Sequence, residues 1–276
     1  MSAELPPLRD VIAQHGLSAR RGLGQHFLLD GNLTARIARA AGDLAGHLAY
    51  EVGPGPGGLT RALLASGADQ VIAVERDDRC LAALDQLAQS FPGRLRIVPG
   101  DALTVDEASL IGGRPAKLVA NLPYNISTAL LLKWLARPHQ FVDYTLLFQK
   151  EVADRLLASP GTKAYGRLSV ITQWLMRTRP LFEIGPRAFT PPPKVTSTLV
   201  RLEPLPQPLA PANRAVLEKV TAAAFGQRRK MLRASLKALL PQPEAVLAAA
   251  GIVATRRAEE LSVEEFCALA RAVEAA

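Results

Sequence analysis

Residues 121–124 read Asn-Leu-Pro-Tyr, directly after the apolar run Leu118-Val119-Ala120. The Asn121 side-chain oxygen and the Leu122 backbone carbonyl are neighbouring acceptors, Pro123 stiffens the chain beside them, and Tyr124 adds a flat aromatic face. Together they can grip a planar amino group, one acceptor for each hydrogen, with the ring stacked on the base that carries it. The exocyclic N6 of adenine is such a group, and a poor nucleophile, because its lone pair is delocalised into the ring. Holding both hydrogens favours a pyramidal nitrogen and aims its lone pair at a methyl-sulfonium carbon. The Tyr124 face would favour the positive charge that passes from sulfur to nitrogen, by about 0.5–2 kcal/mol. Positioning would contribute more, about 7–11 kcal/mol. No base is required before attack, since the amine turns acidic only once alkylated. The competing account of the four residues is a plain turn whose tyrosine packs in the core.

A second cluster is "EVGPGPGGLT" at 51–60, where Gly53, Gly55 and Gly58 satisfy the G-x-G-x-x-G spacing between a strand and a helix. Glu75 follows about twenty residues later at the next strand end, placed to accept hydrogen bonds from ribose hydroxyls. That combination fits a dinucleotide. S-adenosylmethionine offers the same ribose without a pyrophosphate, and Pro54 and Pro56 each remove a backbone N–H that would otherwise cradle phosphate, which favours the methyl donor. A tight turn with no ligand is the remaining alternative. Asp101, in "PGDAL" (99–103), follows the third strand, where a carboxylate can accept from an adenine amino group or simply cap a helix. "GLGQHFLLD" (22–30) is basic-flanked and broken by glycine; it can lie across a cofactor as a lid or serve as an ordinary connection.

Other chemistries find little support. The chain has four histidines and no evident nucleophile–base pair. Cys80 and Cys267 are its only cysteines, far apart and without ligand spacing, so neither a disulfide framework nor a structural zinc site is indicated. Lys and Arg outnumber Asp and Glu 33 to 25, giving a net charge of +8, which suits a polyanionic partner. No apolar leader or membrane-length segment is evident, so a soluble cytoplasmic protein is expected.

The elements that must position these residues alternate. Short apolar runs at 47–53, 70–75, 94–98, 117–121 and 144–149 are separated by helical patterns such as 58–67 and 77–89. Buried-looking strands alternating with helices mean a mostly parallel sheet covered on both faces, a doubly wound α/β domain. After a helix at 166–175, the runs 179–184 and 196–203 are joined by too short a link for a crossover helix. An antiparallel pair at one sheet edge is expected, for seven strands in all. "PLPQPLAP" (204–211) has four prolines in eight residues and reads as a semi-rigid linker. Beyond it only helical patterns occur, at 213–225, 228–240, 244–251 and 262–273, with Ser262 and Glu265 as a capping box. The expected division is therefore a catalytic domain at 1–204 and a small all-α domain at 205–276.

From "GLGQHFL" through "EVGPGPGGLT", "VIAVERD", "GDAL", "NLPYNIST", "LLFQKEVADRLL", "KAYGRLSV" and "AFTPPPKVTSTLVRL" to "AAFGQRRKMLRASL", nearly the whole chain resembles the ribosomal RNA adenine-N6,N6 dimethyltransferases, and among them the small-subunit branch. The resemblance implies a Rossmann-like class I methyltransferase fold and S-adenosylmethionine as donor. It further implies dimethylation of two adjacent adenosines near the 3′ end of small-subunit rRNA, on a partly assembled subunit, by a monomer. His26 and Leu28 would contact the cofactor, Gly53 would border its methionine part, Glu75 would bind the ribose and Asp101 the adenine amino group. Asn121 would lie between donor and target. Where the family pattern has Asn, this chain has His26; a backbone contact would survive that change. Phe189 resembles the aromatic that faces Tyr124 across the target base. Arg228, Arg229, Lys230 and Arg233 form a run without acids, expected on a helix with Arg229 and Arg233 on one face, for rRNA phosphates. Alternatives are a large-subunit rRNA methyltransferase, against which "NLPYNIST" and "FGQRRKMLRASL" argue, an assembly checkpoint with methylation secondary, and remotely a dehydrogenase.

Overall fold

The computed structural model describes residues 5–276. Contacts divide the described residues into two compact units, residues 5–153 with 179–203, and residues 154–178 with 204–276.

The first unit is built on a seven-stranded sheet. Its strands are β2 (Leu48–Val52), β3 (Gln70–Glu75), β4 (Leu95–Pro99), β5 (Ala116–Asn121), β6 (Asp143–Gln149), β7 (Met176–Ile184) and β9 (Ser197–Pro204), in the order β4-β3-β2-β5-β6-β9-β7. Strands β4 to β6 run parallel, and β9 pairs antiparallel with β6. The order reverses at β2, whose neighbours are β3 and β5. Such a reversal opens a crevice at the carboxyl ends of the strands. All five residues of β2 are buried, as expected for a central strand covered on both faces. A short ribbon, β1 (Phe27–Leu28) with β8 (Phe189–Thr190), pairs antiparallel, setting Leu28 opposite Phe189.

Helices α2 (Gly31–Ala40), α3 (Gly58–Ala65) and α4 (Asp78–Ser90) pack Ile37, Leu63 and Leu87 into one apolar cluster with Val71 and Ala73 of the sheet. Local chemistry starts them: the Asp30 carboxylate accepts from the N–H groups of Asn32 and Leu33, and Asp77 from that of Arg79. The β5–β6 register is marked by a buried ion cluster. Lys117 lies opposite Asp143, its Nζ 3.3 Å from Oδ2, and Arg201 of β9 reaches the same oxygen at 2.6 Å.

The second unit is helical, with α8 (Arg167–Leu175), α9 (Arg214–Gly226), α10 (Leu232–Ser235), α11 (Pro243–Ala249) and α12 (Val263–Ala275). The Ser262–Glu265 capping box is formed, Ser262 Oγ accepting from Glu265 N at 3.2 Å and Glu265 Oε2 from Ser262 N at 2.7 Å. Two expectations differ from the structure. The division between 204 and 205 misses residues 154–178, which pack with the C-terminal helices. The reason lies in the proline-rich segment: it is hydrogen-bonded along the end of α8, with Leu209 N donating to Trp174 O and Trp174 Nε1 to Ala210 O, both at 2.8 Å. It is a strap more than a spacer. The helix expected over 228–240 is also interrupted, because Leu232 N and Arg233 N donate to Arg256 O and Ala254 O and so start α10 afresh. No helix among the described residues is long and apolar enough to cross a membrane.

Candidate active site

A pocket opens in the first unit where the strand order reverses, lined by the ends of β2, β3 and β5, by Asp101 after β4, and by the 22–28 loop. His26, Leu28, Gly53, Glu75, Asp101, Asn121 and Leu122 all border it. Tyr124 and Phe189 do not line this pocket but meet at its side through the His26 ring.

The glycine loop spends its own donors. Gly53 N donates to Val74 O at 2.9 Å, Gly55 N to Glu75 Oε2 at 2.9 Å, and Gly57 N to Pro54 O at 3.0 Å. Pro54 and Pro56 have none to give. No N–H of residues 53–57 is therefore left to cradle a pyrophosphate, which counts against a dinucleotide. Close approach explains the glycines: a Cβ on Gly58 would sit 2.5 Å from Leu28 O, and at Gly53, where φ is +68°, one would meet Pro123 Cγ at 3.3 Å.

The carboxyls suit hydroxyls and positive charge. Glu75 Oε1 accepts from the N–H groups of Arg76 and Asp77 at 2.8 and 2.7 Å. Burial raises its pKa, and these backbone bonds oppose the rise. Glu51, two residues before Gly53 and 1% exposed, also lines the pocket. Burial pushes its carboxyl up to about 8, against the pull of the Thr60 hydroxyl donating at 2.7 Å and with a further push from Glu75. Asp101 takes Leu103 N on one oxygen at 2.9 Å and the exposed Arg76 on the other at 3.0 Å. An adenine amino group at Asp101 would share that carboxylate with Arg76.

The Asn-Leu-Pro-Tyr segment forms the loop between β5 and α6 (Ser127–Trp134). Asn121 Nδ2 donates to His26 O at 2.9 Å. A carbonyl can only accept, so the amide is turned with Oδ1 away from His26, and that buried oxygen has no protein partner. Tyr124 hydrogen-bonds the Ser197 hydroxyl, and burial raises its pKa. The His26 ring lies 5.0 Å from that of Tyr124, tilted 31°, and meets Phe189 edge-on at 6.5 Å. Its Nδ1 is 2.7 Å from Pro191 O. The 22–28 loop is held at both walls, because Gln25 Nε2 also donates to Asp77 Oδ2 at 3.0 Å.

In the second unit, Arg229, Lys230 and Arg233 are exposed. Arg228 is engaged: its Nε reaches Glu259 at 2.7 Å and its Nη2 Thr162 O at 3.1 Å. Arg229 precedes α10, so the shared helix face expected with Arg233 is not formed. Glu51 and Ser197 were not recognised from the sequence as site residues. An acid inside a strand otherwise apolar and buried was the available signal for Glu51; nothing in the sequence ties Ser197 to Tyr124.

A family model described as ribosomal RNA adenine dimethylase matches residues 16–274. The chain belongs to that family. Proteins named ribosomal RNA small subunit methyltransferase A share 63% identity over 272 residues in Rhodospirillum rubrum, covering 99% of this chain and 94% of the relative. In Paramagnetospirillum magneticum identity is 64% over 273 residues, covering 99% and 96%. Among solved structures, a dimethyladenosine transferase from Plasmodium falciparum superposes with a TM-score of 0.76 at 25% identity, covering 88% of this chain and 96% of that one. The 23S rRNA methyltransferase ErmE gives 0.66 at 29% identity, covering 90% and 99%. This member of the dimethylase family has the Rossmann-like class I methyltransferase fold, its sheet mostly parallel.

Proposed function

We propose that the protein transfers methyl groups from S-adenosylmethionine to N6 of two adjacent adenosines near the 3′ end of small-subunit rRNA, dimethylating each on a small-subunit particle during its assembly. The observation that carries the reading is the Asn121 amide: its oxygen is buried, without a protein partner, and oriented by the backbone carbonyl of His26, whose ring lies against Tyr124. The Leu122 carbonyl is the second acceptor, and Pro123 holds both. The names and 63–64% identity of the curated relatives support rRNA of the small subunit as the substrate.

The donor set fits S-adenosylmethionine. Glu75 would take the ribose hydroxyls, Asp101 the adenine amino group, and His26, Leu28 and Gly53 would border the rest. The buried Glu51 and Glu75 carboxyls suit a ligand carrying ammonium and sulfonium charges, whereas a pyrophosphate would meet those carboxyls and a glycine loop, residues 53–57, with no free N–H. When bound, the donor supplies an electrophilic methyl group; the chain's residues supply aim. Asn121 and Leu122 hold the amino hydrogens, and Tyr124 and Phe189 provide faces for the base. Exposed Arg229, Lys230 and Arg233 would contact rRNA phosphates, with Arg228 oriented by Glu259. The enzyme would act as a cytoplasmic monomer.

Undermethylated small subunits, incubated with the protein and labelled S-adenosylmethionine, should acquire label in two adjacent dimethyladenosines, mapped by mass spectrometry of rRNA digests. Label elsewhere, or none in adenine, would refute the reading. Tight binding to the particles without transfer would instead favour an assembly-checkpoint role.

A further inference from the structure

We infer that the His26 imidazole occupies the stacking position of the target base on Tyr124, and that its withdrawal is a step of substrate entry. The inference rests on the adenine-N6 reading above.

The geometry places the ring where a base should go. It covers Tyr124 at 5.0 Å with a 31° tilt, a spacing at which flat rings attract, and its edge meets Phe189 at 6.5 Å. Tyr124 and Phe189 are the two aromatics expected on either side of the target base, so the imidazole and the base compete for the Tyr124 face. The ring is held from a second direction: Pro191 O can only accept, so Nδ1 carries a hydrogen and donates to it at 2.7 Å. The His26 backbone carbonyl is separately pinned by Asn121 Nδ2. Rotation of the side chain would thus clear the Tyr124 face and break the Pro191 bond while leaving Asn121 oriented. His26 would act as a gate, with the backbone serving Asn121 and the side chain setting access.

A closed gate lowers apparent affinity by the fraction of time it stands open. One aromatic contact and one hydrogen bond hold it, so removing both should lower KM for undermethylated small subunits about tenfold. The expected result for His26→Asn and His26→Ala in the full-length protein is that lower KM for the particles, measured at saturating S-adenosylmethionine. An unchanged or raised KM overturns the inference, and a raised one would make the ring a wall of the base site. Wild-type protein provides an independent reading. With 15N-histidine labelling, the Nδ1–H resonance of His26 should lose its hydrogen-bonded shift when a short rRNA fragment with 2-aminopurine at the target position binds. A resonance unchanged while 2-aminopurine fluorescence reports stacking overturns the gate. Wild-type protein that leaves adenine unlabelled refutes the enzymatic reading itself, a separate outcome.

Discussion

Glu51 makes the protein's stability and its ligand binding depend on pH in opposite senses. Its carboxyl is raised from about 4.5 unfolded to about 8 folded, chiefly by burial. Between those values the folded state holds a proton that the unfolded state has lost. Stability is therefore fully present below about pH 4.5 and falls as pH rises toward 8, by at most about 1.4 kcal/mol per unit. Glu51→Gln keeps an acceptor for the Thr60 hydroxyl and removes the titration. The melting temperature of wild type relative to Glu51→Gln should drop by about 3 °C per pH unit from 5 to 8. Comparing the two chains removes most of the parallel shift at Glu75, whose chief cause, burial, is present in both. A cation bound beside Glu51 favours its ionised form, so S-adenosylmethionine affinity should rise with pH up to about 8, at most tenfold per unit. Calorimetric titrations between pH 6 and 8.5 should show that slope in wild type and lose it in Glu51→Gln. Parallel melting curves, together with a donor affinity equally flat in both, would refute the account of a buried, protonated Glu51.

Other perturbations separate the parts of the site. Asn121→Ala should lower methyl transfer to adenine about 100-fold or more, while donor affinity by calorimetry stays within a few-fold, because Oδ1 aims the substrate. Gly58→Ala sets a Cβ 2.5 Å from Leu28 O, so backbone must shift; thermal unfolding should report a loss of about 1–3 kcal/mol. Arg229→Glu with Arg233→Glu should weaken binding to small subunits and flatten its dependence on salt, whereas Arg228→Ala, which strands Glu259, should also lower the melting temperature.

Much of this molecule follows from local rules. Alternating apolar runs and helical spacings specify the order of strands and helices, and Asp30, Asp77 and Ser262 mark helix starts because capping needs only the next few residues. The motifs at Gly53, Glu75, Asp101 and Asn121 each end a strand or follow one, so a parallel sheet brings them to one edge without further instruction. The two short strands Phe27–Leu28 and Phe189–Thr190 carry no such signal, since two residues show no period.

What tertiary structure alone decided is the use of each donor and acceptor. The Glu51 carboxyl is raised to about 8 chiefly because both faces of the sheet are covered around it. Arg228 turns to Glu259, and the proline-rich segment becomes a strap on α8, through partners distant in sequence. His26 reads as a loop residue until the β1–β8 ribbon sets it against Tyr124, Phe189 and Pro191. Sequence spacing determines which residues share an edge or a face; burial and the pairing of polar groups depend on chain segments brought together only by the completed fold.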